Sequence, residues 1–287
     1  MDGIINLYKP RGMRSREAVN TVQERLGGVK AGHGGTLDAL AEGVLPVLIG
    51  QATRIFEYLL EQKKTYRVQA RLDLHSPTLD RDGQLEKITV ETVPSIRKIK
   101  KIVDQFQGEI EQRPPKFSAV KHKGKRAHKR ARSGEKIKLP PREVYCGRIE
   151  IRNYDFPELQ LEVTCGRGFY IRSLIRDICD ELNIEGGVVE KLIREEYAGL
   201  SVQEAIVPEE AGEENLLPIE RGLSHITGRK LSEEEIRLVT HGTWIQRQPE
   251  NKGKLLAFDQ AGELRAILKA TDKRKKEEWK PEVVFKK

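Results

Sequence analysis

Three residues far apart in the chain are of types that could do chemistry together: Asp38 in "GHGGTLDALAEGVLP", Tyr66 in "KTYRVQARLDL" and Arg172 in "CGRGFYIRSLIRDI". An aspartate in a glycine-broken turn just ahead of an apolar run either forms the turn or works as a carboxylate in a partly dry pocket. In the second case it needs a cation beside it, because desolvation alone drives a carboxylate towards its neutral form. Arginine suits that place, being permanently charged and able to bind a carboxylate at two points. Each residue also has an ordinary structural reading, as turn former, core aromatic and surface cation, and spacing along the chain does not by itself bring the three together.

The elements that must position them can be read from periodicity. Around Asp38, "SREAVNTVQERLGG" predicts a helix with Ser15 as N-cap and Ala18, Val19, Val22 and Leu26 on its apolar face. "GVLPVLIG" reads as a short buried strand and "ATRIFEYLLEQ" as an amphipathic helix. Asp38 is therefore expected in irregular backbone between ordered pieces. The segment "KTYRVQARLDL" alternates, which places Tyr66, Val68, Ala70, Leu72 and Leu74 on the inward face and Arg67, Gln69, Arg71 and Asp73 outward.

Further on, "PSIRKIKKIVDQFQG" predicts a helix with Pro94 near its first position and Ile99, Ile102, Val103 and Phe106 buried. "REVYCGRIEIRNY" and "LQLEVTC" read as strands, followed through a glycine turn by a helix with the stripe Ile171, Leu174, Ile175, Ile178 and Leu182. Beyond Leu223, "SEEEIRLVTHG" reads as a short helix and "GKLLAFDQAGELRAILKA" as a hairpin. These shifts divide the chain into residues 1–222 and 223–287.

With 287 residues there is room for one large domain, or for a catalytic domain and a small appendage. Lys and Arg outnumber Asp and Glu by 52 to 44, a formal charge of +8 that favours polyanionic partners. The basic residues concentrate in "RPPKFSAVKHKGKRAHKRARSGEKIKLPPR", about residues 113–142, an exposed loop with a possible short helix from Gly124 to Ser133. Its Lys121, Lys125, Arg126, His128 and Arg132 are candidates for phosphate contact. Cys146, Cys165 and Cys179 lack paired spacing and read as buried thiols. No nucleotide-binding glycine motif or metal-ligand spacing is present, so neither cofactor nor metal is expected. The first residues lack a signal layout and no apolar run approaches a membrane span, which predicts a cytoplasmic protein.

The stretches "GHGGTLDALAEGVLP", "KTYRVQARL", "QRPPKFSAVKHKGKRAHKRARSG", "CGRGFYIRSLIRDI" and "GGVVEKLIR", in this order, resemble the TruB family of tRNA pseudouridine synthases. The resemblance implies an α+β fold: a catalytic domain on an antiparallel-rich mixed sheet and a small, β-rich, PUA-like RNA-binding domain at the C-terminus. It implies that Asp38 is the nucleophile, that Tyr66 stacks on the target base and abstracts a proton, and that Arg172 pairs with Asp38. It further implies that Tyr170 and Leu192 line the pocket, that His33 occupies space vacated by flipped bases, and that Lys9 and Lys64 lie beside the site.

The reaction implied is isomerisation of uridine 55 in the T-loop of tRNA, by a monomer that grips the T-arm with its basic loop and needs no protein partner. Two rivals share these features: the guide-RNA-dependent relatives, and a catalytically silent RNA-binding or RNA-chaperone module. The chain departs from the family pattern at Gly34, Ala39, His128, Phe169 and Ile193, where threonine, proline, tyrosine, threonine and arginine are usual.

Overall fold

The alternating segment becomes the strand Lys64–Arg71, the middle strand of the larger sheet. It pairs antiparallel with Glu158–Cys165 on one side and with Val188–Tyr197 on the other. Outward from these lie Arg142–Asp155 and Gly108–Gln112 on the first side, and Glu42–Ile49 and Gly3–Lys9 on the second. Val188–Tyr197 and Glu42–Ile49 run parallel; the other pairings of this sheet are antiparallel among the described residues. The computed structural model describes residues 1–118, 120–122, 125–126, 139–247, 252–271 and 277–286.

Three amphipathic helices, Ser15–Arg25, Ile96–Gln105 and Ile171–Leu182, bury their stripes against this sheet in one apolar cluster. The last helix stops at Asn183, whose left-handed backbone (φ 58°) ends the hydrogen-bond ladder. On the solvent face, Arg67 pairs with Glu195, and Arg152 with Glu150 and Glu162, so that period-2 alternation separates core from ion pairs. The three cysteines are free and buried.

Several local expectations change. Arg14 takes the N-cap position and Ser15 is the first helical residue, its hydroxyl drawn away to the backbone of Leu37. Ser95, not Pro94, adjoins the next helix and caps it by accepting from the Lys98 N–H at 3.3 Å. "ATRIFEYLLEQ" forms a 3-10 turn, Gly50–Ile55, before a short α-helix, Phe56–Leu60. Asp73 is buried and pairs with Arg71 at 2.8 Å, because the strand ends at Arg71 and alternation ends with it. In the basic loop Lys125–Arg126 is a strand paired with Lys121–His122, where a helix from Gly124 was expected; His128 and Arg132 lie outside the described residues.

A second sheet of five strands takes in Gly228–Lys230, Lys254–Phe258, Leu264–Thr271, Glu278–Val284 and Ile245–Gln246, in that order. The expected hairpin is its Lys254–Phe258/Leu264–Thr271 pair. Ser232 caps the helix Glu233–Thr240 through the reciprocal Ser232–Glu235 bonds. This unit is not loosely tethered: Leu256, Ile267, Val283 and Phe285 share an apolar cluster with Ile4, Val44, Leu48 and Leu59 of the larger sheet and its flank. Tyr58 donates to Glu282 at 2.5 Å and Lys254 pairs with Glu61 at 3.0 Å around that cluster.

Candidate active site

Asp38 occupies irregular backbone between the strands Ala31–His33 and Glu42–Ile49, and both flanks of its turn are pinned. Leu37 exchanges two 2.9 Å hydrogen bonds with Ser15, donating its N–H and accepting from the hydroxyl. The Gly12 N–H donates to the Ala39 carbonyl at 2.8 Å. At Gly34 a Cβ would fall 2.5 Å from the Leu59 Cδ2 methyl, so any larger residue there requires Leu59 to shift.

Arg172, in the first turn of the Ile171–Leu182 helix, is held by carbonyls and two carboxylates. Its Nη2 meets Asp38 Oδ2 at 2.6 Å and the Phe117 carbonyl at 3.0 Å. Its Nη1 meets Asp80 Oδ2 at 3.1 Å and the Thr78 carbonyl at 2.9 Å. The arginine side chain is 5% exposed and that of Asp38 is 42% exposed, so the pair is closed on the cation's side and open on the carboxylate's. The helix start is fixed by buried Gln112, which accepts from the Tyr170 N–H at 2.8 Å and donates to the Tyr170 carbonyl at 3.1 Å. Asp80 also accepts from the Thr78 hydroxyl at 2.6 Å. Burial raises its carboxyl above the usual range against the opposing pull of Thr78 and Arg172.

Tyr66 is half-buried against the main core, in register with Val163 and Arg194 on the neighbouring strands. Burial raises its phenol, as does the Asp38 charge, while the guanidinium of Arg194 acts the other way. Tyr170 is raised by burial and by Asp38, so both tyrosines lie within electrostatic reach of the same carboxylate. Leu192 is buried in the main cluster. His33 is half-buried, its Nδ1 without a hydrogen-bond partner; burial, with Arg16 and Arg194, pushes it below the ordinary histidine value.

The two lysines are buried. Lys9 is fully buried and donates to the Pro10 and Met13 carbonyls at 2.8 Å each, so it holds a turn. Burial pushes its amine down to about 8, although Asp38 and Glu42 act in the other direction. Lys64 is buried over the Tyr197 ring at 4.5 Å, its amine pushed down to about 8 by burial and by Arg194.

The sequence reading passed over Asp80, Gln112 and Arg194. "DRDGQL", with Asp80 at its start, reads only as a turn, and Arg194 falls at the end of "GGVVEKLIR". Partners that meet across distant stretches of chain, as Asp80 meets Arg172 and Arg194 meets Val44 and Gly35, have no signature in local spacing.

Residues 23–171 match the N-terminal domain of the TruB family pseudouridylate synthases. The chain belongs to the TruB family. It is similar to the tRNA pseudouridine synthase B of Alkaliphilus oremlandii, 40% identical over 79% of this chain and 77% of that protein. It is similar also to that of Clostridium kluyveri, 38% identical over 86% of each chain. Among solved structures it resembles a chain from the crystal structure of a Cbf5-Nop10-Gar1 complex, with a TM-score of 0.74, 27% identity and coverage of 99% of this chain and 84% of the other. The fold is thus α+β, as the TruB resemblance implied. Among the described residues no helix is long and apolar enough to cross a membrane.

Proposed function

We propose that this TruB chain is a stand-alone tRNA pseudouridine synthase that isomerises the T-loop uridine at position 55, with Asp38 as nucleophile. The observation that carries the reading is the Asp38–Arg172 ion pair, which holds the carboxylate against a fixed cation while leaving part of it open to a substrate. The glycosidic C–N bond breaks, the uracil turns within the pocket, and its C5 bonds to the same sugar carbon. No electrons are gained or lost overall, and no cofactor is required. Tyr66 stacks on the base and takes the C5 proton, and Tyr170, Leu192, His33 and Lys64 shape the surrounding pocket.

The target base must leave its stack, at a cost on the order of a few kcal/mol that aromatic and phosphate contacts offset. The basic loop, with Lys121, Lys125, Arg126, His128 and Arg132, and the β-rich unit of residues 223–287 supply those contacts to the T-arm. The protein acts as a monomer in the cytoplasm. The test is to incubate the purified chain alone with an unmodified tRNA transcript and map pseudouridine by carbodiimide-blocked primer extension. A stop at the T-loop uridine is expected. Turnover only after adding a guide RNA or protein partners would assign the chain to the ribonucleoprotein class instead.

A further inference from the structure

Arg194 is fully buried and belongs to none of the ion pairs among the described residues. Its Nε donates to the Val44 carbonyl at 2.7 Å and its Nη2 to the Gly35 carbonyl at 3.1 Å, and its guanidinium lies 4.8 Å from the centre of the Tyr197 ring. Its Nη1 is buried and has no hydrogen-bond partner. Such a donor, left unpaired in a dry interior, costs about 1–3 kcal/mol, more where the group is charged. Register places the residue across from Tyr66 on one side and Gly43 on the other. The Gly43 contact is tight: at φ 101° a Cβ there would lie 2.3 Å from the Arg194 carbonyl oxygen, so only glycine lets the strands approach this closely. Tyr66 is the cross-strand neighbour of Arg194, whose charge opposes the rise that burial imposes on the phenol.

We infer that Arg194 is a positioning residue for proton transfer, its unpartnered Nη1 donating to the Tyr66 oxygen while that oxygen carries negative charge. The inference rests on the reading of Tyr66 as the base. Once C5 has bonded to the sugar, it still holds its hydrogen and N1 lacks one. The Tyr66 phenol releases its proton, which N1 takes up directly or through water, and the resulting phenolate takes the C5 proton. The C–H electron pair closes the C5–C6 double bond, and Tyr66 returns to a neutral phenol. A phenolate in this buried place needs a fixed cation. Both terminal nitrogens of Arg172 are taken up by Asp38, Asp80 and two carbonyls, leaving only its Nε unpartnered, whereas a terminal nitrogen of Arg194 is open.

The test uses single-turnover rates on T-arm RNA carrying hydrogen or deuterium at C5 of the target uridine. The proteins compared are wild type, Arg194→Gln, Arg194→Lys, Tyr66→Phe and the Arg194→Gln/Tyr66→Phe double variant, each checked for folding by thermal melting. Arg194→Gln is expected to be slower by about 10²-fold, the lower range of general acid–base contributions, and to show a larger isotope effect than wild type. Arg194→Lys should recover part of the rate. In the Tyr66→Phe background, Arg194→Gln should have no further effect, since the two act through one step.

Additive losses with an unchanged isotope effect would overturn the inference and reduce Arg194 to a support for the Asp38 turn. If Arg194→Gln does not fold, the isotope effect is read on Arg194→Lys, where an unchanged value with lost rate has the same meaning. A Tyr66→Phe protein at wild-type rate would instead remove the base reading itself.

Discussion

The site's buried cations are held in two opposite ways. On one side Arg172 lies between Asp38 and Asp80, with each terminal nitrogen also donating to a backbone carbonyl. On the other, Lys9, Lys64 and Arg194 meet carbonyls and the face of Tyr197, and Nη1 of Arg194 is left without a partner. Removing a charge from water costs several kcal/mol, and a carboxylate partner offsets that cost where dipoles and ring faces do so only in part. The lowered amines of Lys9 and Lys64 express this difference. The first side sets a carboxylate against a fixed cation; the second keeps positive charge on backbone carbonyls and the Tyr197 ring.

The strongest way to break the comparison is to remove the negative charge on the first side. Asp38→Asn preserves volume and polarity, and Arg172 keeps Asp80 and its carbonyls, so a folded protein that binds tRNA and forms no detectable pseudouridine is expected. Binding, melting and product should be measured together, on protein free of deamidation. Substantial turnover would reduce Asp38 to a turn residue.

A milder perturbation keeps the cation's charge and changes its shape. Arg172→Lys places a point charge where a planar fork now reaches Asp38 and Asp80 at once, so one contact must be lost. Single-turnover rates should fall by about 10²-fold, the size typical of losing one organised electrostatic contact. Near-normal turnover would show that charge alone suffices on this side.

The smallest effect is expected from the second side, in stability. The folded-state pKa of Lys64 is lowered from 10.5 to about 8, so between those values the unfolded chain binds more protons and stability rises with pH. Below about 8 the full cost of burying the ammonium is present. Lys64→Met should therefore be more stable than wild type at pH 7, by ~2 kcal/mol once the lost contact with Tyr197 is discounted, and the advantage should shrink towards pH 10. Denaturant unfolding at the two pH values measures it. An advantage independent of pH would mean that packing, and not charge burial, sets the difference.

Much of the scaffold was legible in advance. The strand Lys64–Arg71 and the helix Ile171–Leu182 follow from periodicity, because a residue's face depends on its neighbours two, three or four places away. The hairpin of the second sheet and the Ser232 cap follow from equally local chemistry. Where local reading failed, a distant partner intervened: the Ser15 hydroxyl bonds Leu37 instead of capping its helix, and Asp73 turns inward to Arg71 where its strand stops.

The sequence by itself determined the amphipathic elements, the basic loop's charge, and the residue types at Asp38, Tyr66 and Arg172. Only the tertiary structure decided which groups surround them. Asp80 reaches Arg172 across 92 positions of chain, and Arg194 reaches Gly35 across 159. Such contacts arise from strand order and register, which depend on how all the faces pack at once. Lys9 is the clearest case, a residue whose type suggests a surface contact and whose burial makes it part of the frame.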